Sequence, residues 1–201
     1  MSKKVDTIIT DTSDEILFNY EDIPEFMNQC FIRTLVSKGK TPSETQARAI
    51  ITGIVFEKCV AEVIDQFAPR LKYECRVYLP QACMDYSGAD LVLYDSDGID
   101  SVIELKGSAE QLEWPSGEIT TSNRPGLMRS DTMKKAVCQA YQVKQINNDL
   151  KFHIITSHKP KSGSAKCLYD MANGDIIDST VSIQDSDNIQ SFLQQKQQQT
   201  L

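Results

Sequence analysis

The stretch Ala89-Asp90-Leu91-Val92-Leu93-Tyr94, then Asp95-Ser96-Asp97-Gly98, then Ile99-Asp100-Ser101-Val102-Ile103-Glu104-Leu105-Lys106 decides the fold. Two short runs rich in branched apolar residues flank a cluster of Asp, Ser and Gly, the pattern of strand, turn, strand. With the turn centred on Asp97, Asp95 opposes Ile99 and Asp90 opposes Glu104. Directly opposed residues point to one face, with Cβ atoms about 4.5–5.5 Å apart. Side chains alternate along a strand, so Lys106 shares that face with Glu104. Leu91, Leu93, Ile103 and Leu105 then form the apolar opposite face. A slip of one residue would separate the two carboxylates and the ammonium.

Outward from this hairpin the chain divides into helical and extended texture. Upstream, Tyr73 to Leu79 alternates like a third strand. Before it, Thr41-Pro42-Ser43-Glu44 predicts a helix start, with Thr41 as cap, Pro42 in the first turn and Glu44 closing a capping box. The apolar pattern Ala47, Ile50, Ile51, Ile54, Val60, Ile64, Phe67 carries that helix to a stop near Pro69. Pro24 to Ser37 reads as an earlier helix ended by Gly39. Downstream, residues 107–131 contain Gly107, Pro115, Gly117, Pro125 and Gly126 and read as one long loop, a length that usually carries function. A helix is expected from Ser130 to about Ile146, a buried strand over 152–156, a basic loop over 159–166, and a further strand over 176–183. A short helix over 188–196 should fray into Gln197-Gln198-Gln199. The expectation is a single α/β domain: a mixed sheet with helices on its faces. Residues 1–40 form an N-terminal helical elaboration, 41–183 the core, and 184–201 the terminal helix and tail.

Two adjacent carboxylates repel, and one takes up a proton unless a cation lies between them. Mg²⁺ prefers oxygen ligands and accepts few of them from protein. Asp90, Glu104 and the main-chain carbonyl of Leu105 would leave waters on such a cation. A water polarised there and held by Lys106 could attack a phosphodiester, with cation and ammonium offsetting the growing charge. The plainer alternative is an exposed strand pair with an ordinary Glu–Lys surface interaction. On a helical wheel Glu57 falls within the stripe of Ile50, Ile54, Ala61 and Ile64, where a carboxylate needs a partner or a cation. Its alternative is a bridge to Lys58 or Arg48.

The motif Gly88-Ala89-Asp90-Leu91-Val92-Leu93 with Ile103-Glu104-Leu105-Lys106-Gly107 resembles the PD-(D/E)XK nuclease superfamily, which includes restriction endonucleases, junction resolvases and repair nucleases. The likeness spans about residues 43–158, with Ala89 standing where the motif's name has proline. It implies a restriction endonuclease-like core in which Asp90 and Glu104 bind metal and Lys106 assists the nucleophile. It also implies that Glu57, on the helix before the three-strand meander, faces the same metal. Gln139 and Tyr141 lack the spacing of the Q-x-x-x-Y feature found in exonuclease-like branches and read as ordinary helix residues.

Net charge is −7, which argues against a polyanion partner until its distribution is read. Residues 1–103 carry net −7, residues 104–166 net +4 and residues 167–201 net −4. Within the basic island, Arg124, Arg129, Lys134 and Lys135 sit in and after the long loop, and Lys159, Lys161 and Lys166 in the later one. Both groups would flank the active face and grip phosphates, or any one of them could be a solvated surface charge. The expected partner is DNA. The leading expectation is a Mg²⁺-dependent endodeoxyribonuclease resembling a type II restriction enzyme, acting as a homodimer, with Mn²⁺ able to substitute. A structure-specific nuclease, such as a Holliday-junction resolvase or phage recombination nuclease, is the second expectation, and a catalytically inactive DNA-binding module the third.

Other features narrow the setting. No apolar run reaches the ~20 residues of a membrane helix, and no apolar segment follows Lys3-Lys4, so a cytoplasmic location is expected. The six cysteines lack zinc spacing and are expected to be reduced, small and buried. Trp114 should anchor its loop rather than stack on a base, and His153 and His158 should be structural.

Overall fold

The structure, a computed structural model, describes residues 22–79 and 88–199. The expectations for the N-terminal start and for Cys83 lie outside them. A five-stranded mixed sheet forms the centre, built from β1 (Lys72–Val77), β2 (Ala89–Tyr94), β3 (Ile99–Lys106), β6 (Lys151–Thr156) and β7 (Ser179–Ser182), side by side in that order. Between β3 and β6 in sequence lies a small separate hairpin, β4 (Gln111–Glu113) with β5 (Ile119–Thr121). The β1–β2 and β2–β3 pairs are antiparallel, and β3–β6 and β6–β7 are parallel.

Helices cover both faces. Leu91, Leu93, Ile103 and Leu105 pack with α1 (Ile23–Ser37), α2 (Thr45–Phe67) and α5 (Ser186–Gln199) in one core. Val92, Val102, Phe152 and Ile154 pack on the other face with α3 (Ser130–Ile146) and α4 (Gly163–Ala172). The expected mixed α/β sheet flanked by helices is therefore the observed architecture. The helix at 23–37 is no appendage, because Met27, Phe31 and Leu35 are fully buried in the same core as the sheet.

Several local expectations need correction. The second helix begins at Thr45 rather than Pro42. Glu44 does reach back to the Thr41 N–H (2.8 Å), but around a turn that precedes the helix. The segment 107–131 is not one loop; it holds the β4–β5 hairpin and a 3-10 turn at Gly126–Met128. The basic loop after β6 ends early, because Ala165, Leu168, Tyr169 and Ala172 form the inward stripe of α4. At the C-terminus α5 runs to Gln199, past the expected end near Lys196, and the Gln197 side chain accepts the Arg70 N–H (2.8 Å). Of the described cysteines, Cys30 and Cys59 are buried but Cys75, Cys138 and Cys167 are exposed. Burial of small thiols holds for two of the five.

Gly53 gives a stability test of α2. Its backbone is helical, and a Cβ there would meet nothing within 4 Å. Gly53→Ala should stabilise the protein by about 0.5–1 kcal/mol, since alanine loses less backbone freedom in a helix. Urea denaturation with an unchanged slope and a higher midpoint is the expected record.

Candidate active site

The β2–β3 register is the one the turn demanded: Leu91 faces Ile103, Val92 faces Val102 and Leu93 faces Ser101. It shifts only beside the turn, where Tyr94 faces Ile99. Asp90, Glu104 and Lys106 consequently meet at the open end of the hairpin. Lys106 Nζ contacts Glu104 Oε1, lies 3.6 Å from Asp90 Oδ2 and 3.4 Å from the Leu105 carbonyl. Asp90 Oδ2 also accepts the Leu105 N–H at 2.8 Å, which fixes the carboxylate against β3.

Burial separates the roles of these groups. The Glu104 side chain is 1% exposed, against 19% for Asp90 and 23% for Lys106. Ile154 stands beside Glu104 in the parallel register, and α3 packs over this face of the sheet. Burial pushes the Glu104 carboxyl up to about 8, opposed by the Lys106 charge and reinforced by Asp90. The surroundings are thus desolvated but not neutral. Glu104 Oε2 has no hydrogen-bond partner among the described residues, which is costly for a buried carboxyl oxygen.

These residues fit a hard divalent cation. Lys106 Nζ sits among the three oxygens (Asp90, Glu104, Leu105 C=O) that such an ion would use, and Glu104 Oε2 offers a free lone pair. Two carboxylates and one carbonyl match what Mg²⁺ takes from protein. Among the described residues no three His, Cys, Asp or Glu side chains cluster as a metal group. Glu57 Oε2 accepts from Arg76 Nη2 (2.8 Å) and Nε (3.2 Å), which corrects the expected bridge to Lys58 or Arg48. The buried stripe of α2 runs through Thr52, Val55, Phe56, Cys59, Val60 and Val63. Ile50 and Ile54 are exposed, so Glu57 lies on a half-open flank rather than an apolar one.

A cleft of about 410 Å³ opens beside this centre, between α2, the end of β3, the β4–β5 hairpin and the start of α3. Lys106, Arg48, Arg124 and Arg129 line it, and Glu57 is its one carboxylate among the described residues. Lys134, Lys135, Lys159 and Lys161 do not line the cleft; the first two and Lys161 are exposed. Arg129 is shared with Asp131, which it grips through both Nε and Nη2 (3.1 and 2.9 Å). Its floor is tied to β6: Ser157 donates its N–H to the Lys106 carbonyl (3.1 Å) and Thr156 its hydroxyl (2.7 Å). Arg48 and Arg76 were missed as site residues. Neither was legible: nine positions before Glu57 puts Arg48 on the opposite side of an ideal helical wheel, and nothing local signals Arg76.

Trp114 is 5% exposed and donates its indole N–H to Thr120 Oγ1 (3.1 Å), so it staples the β4–β5 hairpin as expected. His158 Nε2 meets Glu110 Oε2 (3.2 Å) away from the carboxylate pair. His153 is buried, with Nδ1 on Ser179 Oγ (2.9 Å), and burial together with Lys196 lowers its pKa to about 3. An unfolded chain binds that proton near pH 6.5 while the folded protein refuses it, so stability is full above pH 6.5 and falls as pH drops toward 3. The ceiling is about 1.4 kcal/mol per pH unit. Urea titrations between pH 7 and 4 should show this slope, and His153→Gln should flatten it.

Comparison with protein-family models, with curated proteins and with solved structures finds no match to this chain. Among the described residues no helix is long and apolar enough to cross a membrane.

Proposed function

We propose that the chain is a divalent-cation-dependent nuclease that hydrolyses DNA phosphodiester bonds, in its most specific form a type II restriction-like endodeoxyribonuclease acting in the cytoplasm as a homodimer. The observation that carries this is the seat of Lys106 Nζ among Asp90, Glu104 and the Leu105 carbonyl: an ammonium occupying a cage of oxygens suited to a metal ion. Asp90, Glu104 and Leu105 would hold Mg²⁺ or Mn²⁺, which when bound polarises a water and offsets negative charge on the reacting phosphate. Lys106, on a strand locked to β6, donates to the attacking water and keeps it in line. Arg124, Arg129 and Arg48 hold backbone phosphates along the cleft, so binding energy positions the scissile bond. The resemblance to PD-(D/E)XK nucleases supports the same assignment.

Incubating the protein with plasmid, four-way-junction and single-stranded DNA in Mg²⁺, Mn²⁺ or Ca²⁺ tests the reading. Discrete plasmid fragments support the restriction-like form, and preference for junctions supports the structure-specific one. Burial of Glu104 and full engagement of Lys106 favour a second reading, a DNA-binding module without cleavage. Tight DNA binding with no cut product under any cation would select it.

A further inference from the structure

Arg76 is the one non-glycine residue among those described with a positive φ, 55°. This left-handed conformation disfavours any side chain with a Cβ, and such strain persists where surrounding structure enforces it, often at functional sites. The register shows what it achieves. Cys75 faces Leu91 and Val77 faces Ala89, so Arg76 stands opposite Asp90, and Asp90 opposite Glu104. Arg76, Asp90 and Glu104 thus form one row across three strands. By regular alternation Arg76 would follow Asp90 onto the face under α3. The left-handed twist turns its guanidinium to Glu57 on α2, beside the cleft. The Arg76 side chain is 61% exposed and that of Glu57 29%, so the ion pair is partly open to solvent, where screening weakens such pairs.

We propose that Arg76 is a substrate-gripping residue that leaves Glu57 for a non-bridging oxygen of the DNA phosphate next to the Asp90–Glu104 pair. The inference rests on the nuclease reading and adds to it the side from which the phosphate is held. β1 supplies a planar donor fork opposite Lys106, and Glu57 keeps that fork extended and parked when no DNA is bound. Guanidinium matches phosphate through two parallel N–H donors, which an ammonium cannot reproduce.

The test uses the full chain and fluorescein-labelled duplex in Ca²⁺ for binding, with single-turnover cleavage in Mg²⁺. Arg76→Gly removes the fork and relieves the backbone, so its melting temperature should equal or exceed that of the wild type. Its salt dependence of binding should fall by about one phosphate contact, and cleavage should drop roughly 10²–10³-fold. Arg76→Lys should recover only part of that loss. Glu57→Gln, which frees the guanidinium, should bind DNA roughly two- to fivefold more tightly. If Arg76→Gly binds and cleaves like the wild type, the role of Arg76 is refuted while the nuclease reading stands. If its only effect is a lower melting temperature, Arg76 is structural and the proposal is equally refuted. If the wild type itself neither binds nor cleaves DNA, both readings fall together.

Discussion

Replacing Lys106 with methionine should lower Mg²⁺-dependent cleavage by roughly 10²–10⁴-fold, the usual effect of removing a group that positions or shuttles a proton. DNA binding in Ca²⁺ should change only a few-fold, because Arg48, Arg124 and Arg129 still line the cleft. Methionine keeps the length and the apolar stem of lysine, so the packing beside Leu105 survives. What disappears is the charge between Asp90 and Glu104. Glu104, already pushed up to about 8 by burial, then holds its proton more firmly, and the fold tolerates the change because a neutral carboxyl costs far less to bury than a carboxylate. Circular dichroism should show a native protein. Glu104→Gln separates charge from shape: it should lose cation binding while keeping the hairpin, since Asp90 still accepts the Leu105 N–H. Equal cleavage by the Lys106→Met protein and the wild type would remove Lys106 from the mechanism.

Gly107→Ala should produce the largest stability loss of any single methyl group added near the site. A Cβ at position 107 would lie 2.0 Å from Cγ and Cδ2 of Phe56 and 2.4 Å from Cδ1. Phe56 is fully buried in the core under the sheet, so its ring has nowhere to turn. Either the ring or the strand end must shift, and a well-packed core resists both. A cost of about 2–4 kcal/mol is expected, at and somewhat beyond the ordinary range for overpacking, which lowers the melting temperature by roughly 5–15 °C for a chain of this size. Because Gly107 follows Lys106 directly, the same shift would misplace the ammonium, and cleavage should fall even at temperatures where the variant is folded. Phe56→Leu in the same chain, by making room for the methyl, should recover part of the stability. An unperturbed melting temperature in Gly107→Ala would contradict the packing described here.

The hairpin was legible because its evidence is local. Asp95–Gly98 supplies a turn, Leu91, Leu93, Ile103 and Leu105 share one face, and two strands in immediate succession leave little choice of register. The meeting of Asp90, Glu104 and Lys106 followed from that register alone. Burial of Glu104 did not, because it depends on Ile154 and on α3, elements more than 25 residues further along the chain. The partner of Glu57 was hidden for a similar reason: Arg76 reaches it only through a left-handed residue within a strand, a conformation that no propensity favours. The β4–β5 strands, of three residues each, are too short to alternate visibly, so Gly and Pro dominated the reading of 107–131. α4 could have been found. Its Ala165, Leu168, Tyr169, Ala172 spacing is helical, but the lysines and glycine before it drew attention to a loop.

The central claim is that Asp90, Glu104 and the Leu105 carbonyl form a seat for a divalent cation that Lys106 fills when none is bound. Crystals soaked in Mn²⁺ and measured at the manganese absorption edge address it directly. The account predicts an anomalous peak about 2.1 Å from those three oxygens, with Lys106 Nζ displaced toward the cleft. Saturating Mn²⁺ with no peak there, and Lys106 Nζ still seated between the carboxylates, would contradict it.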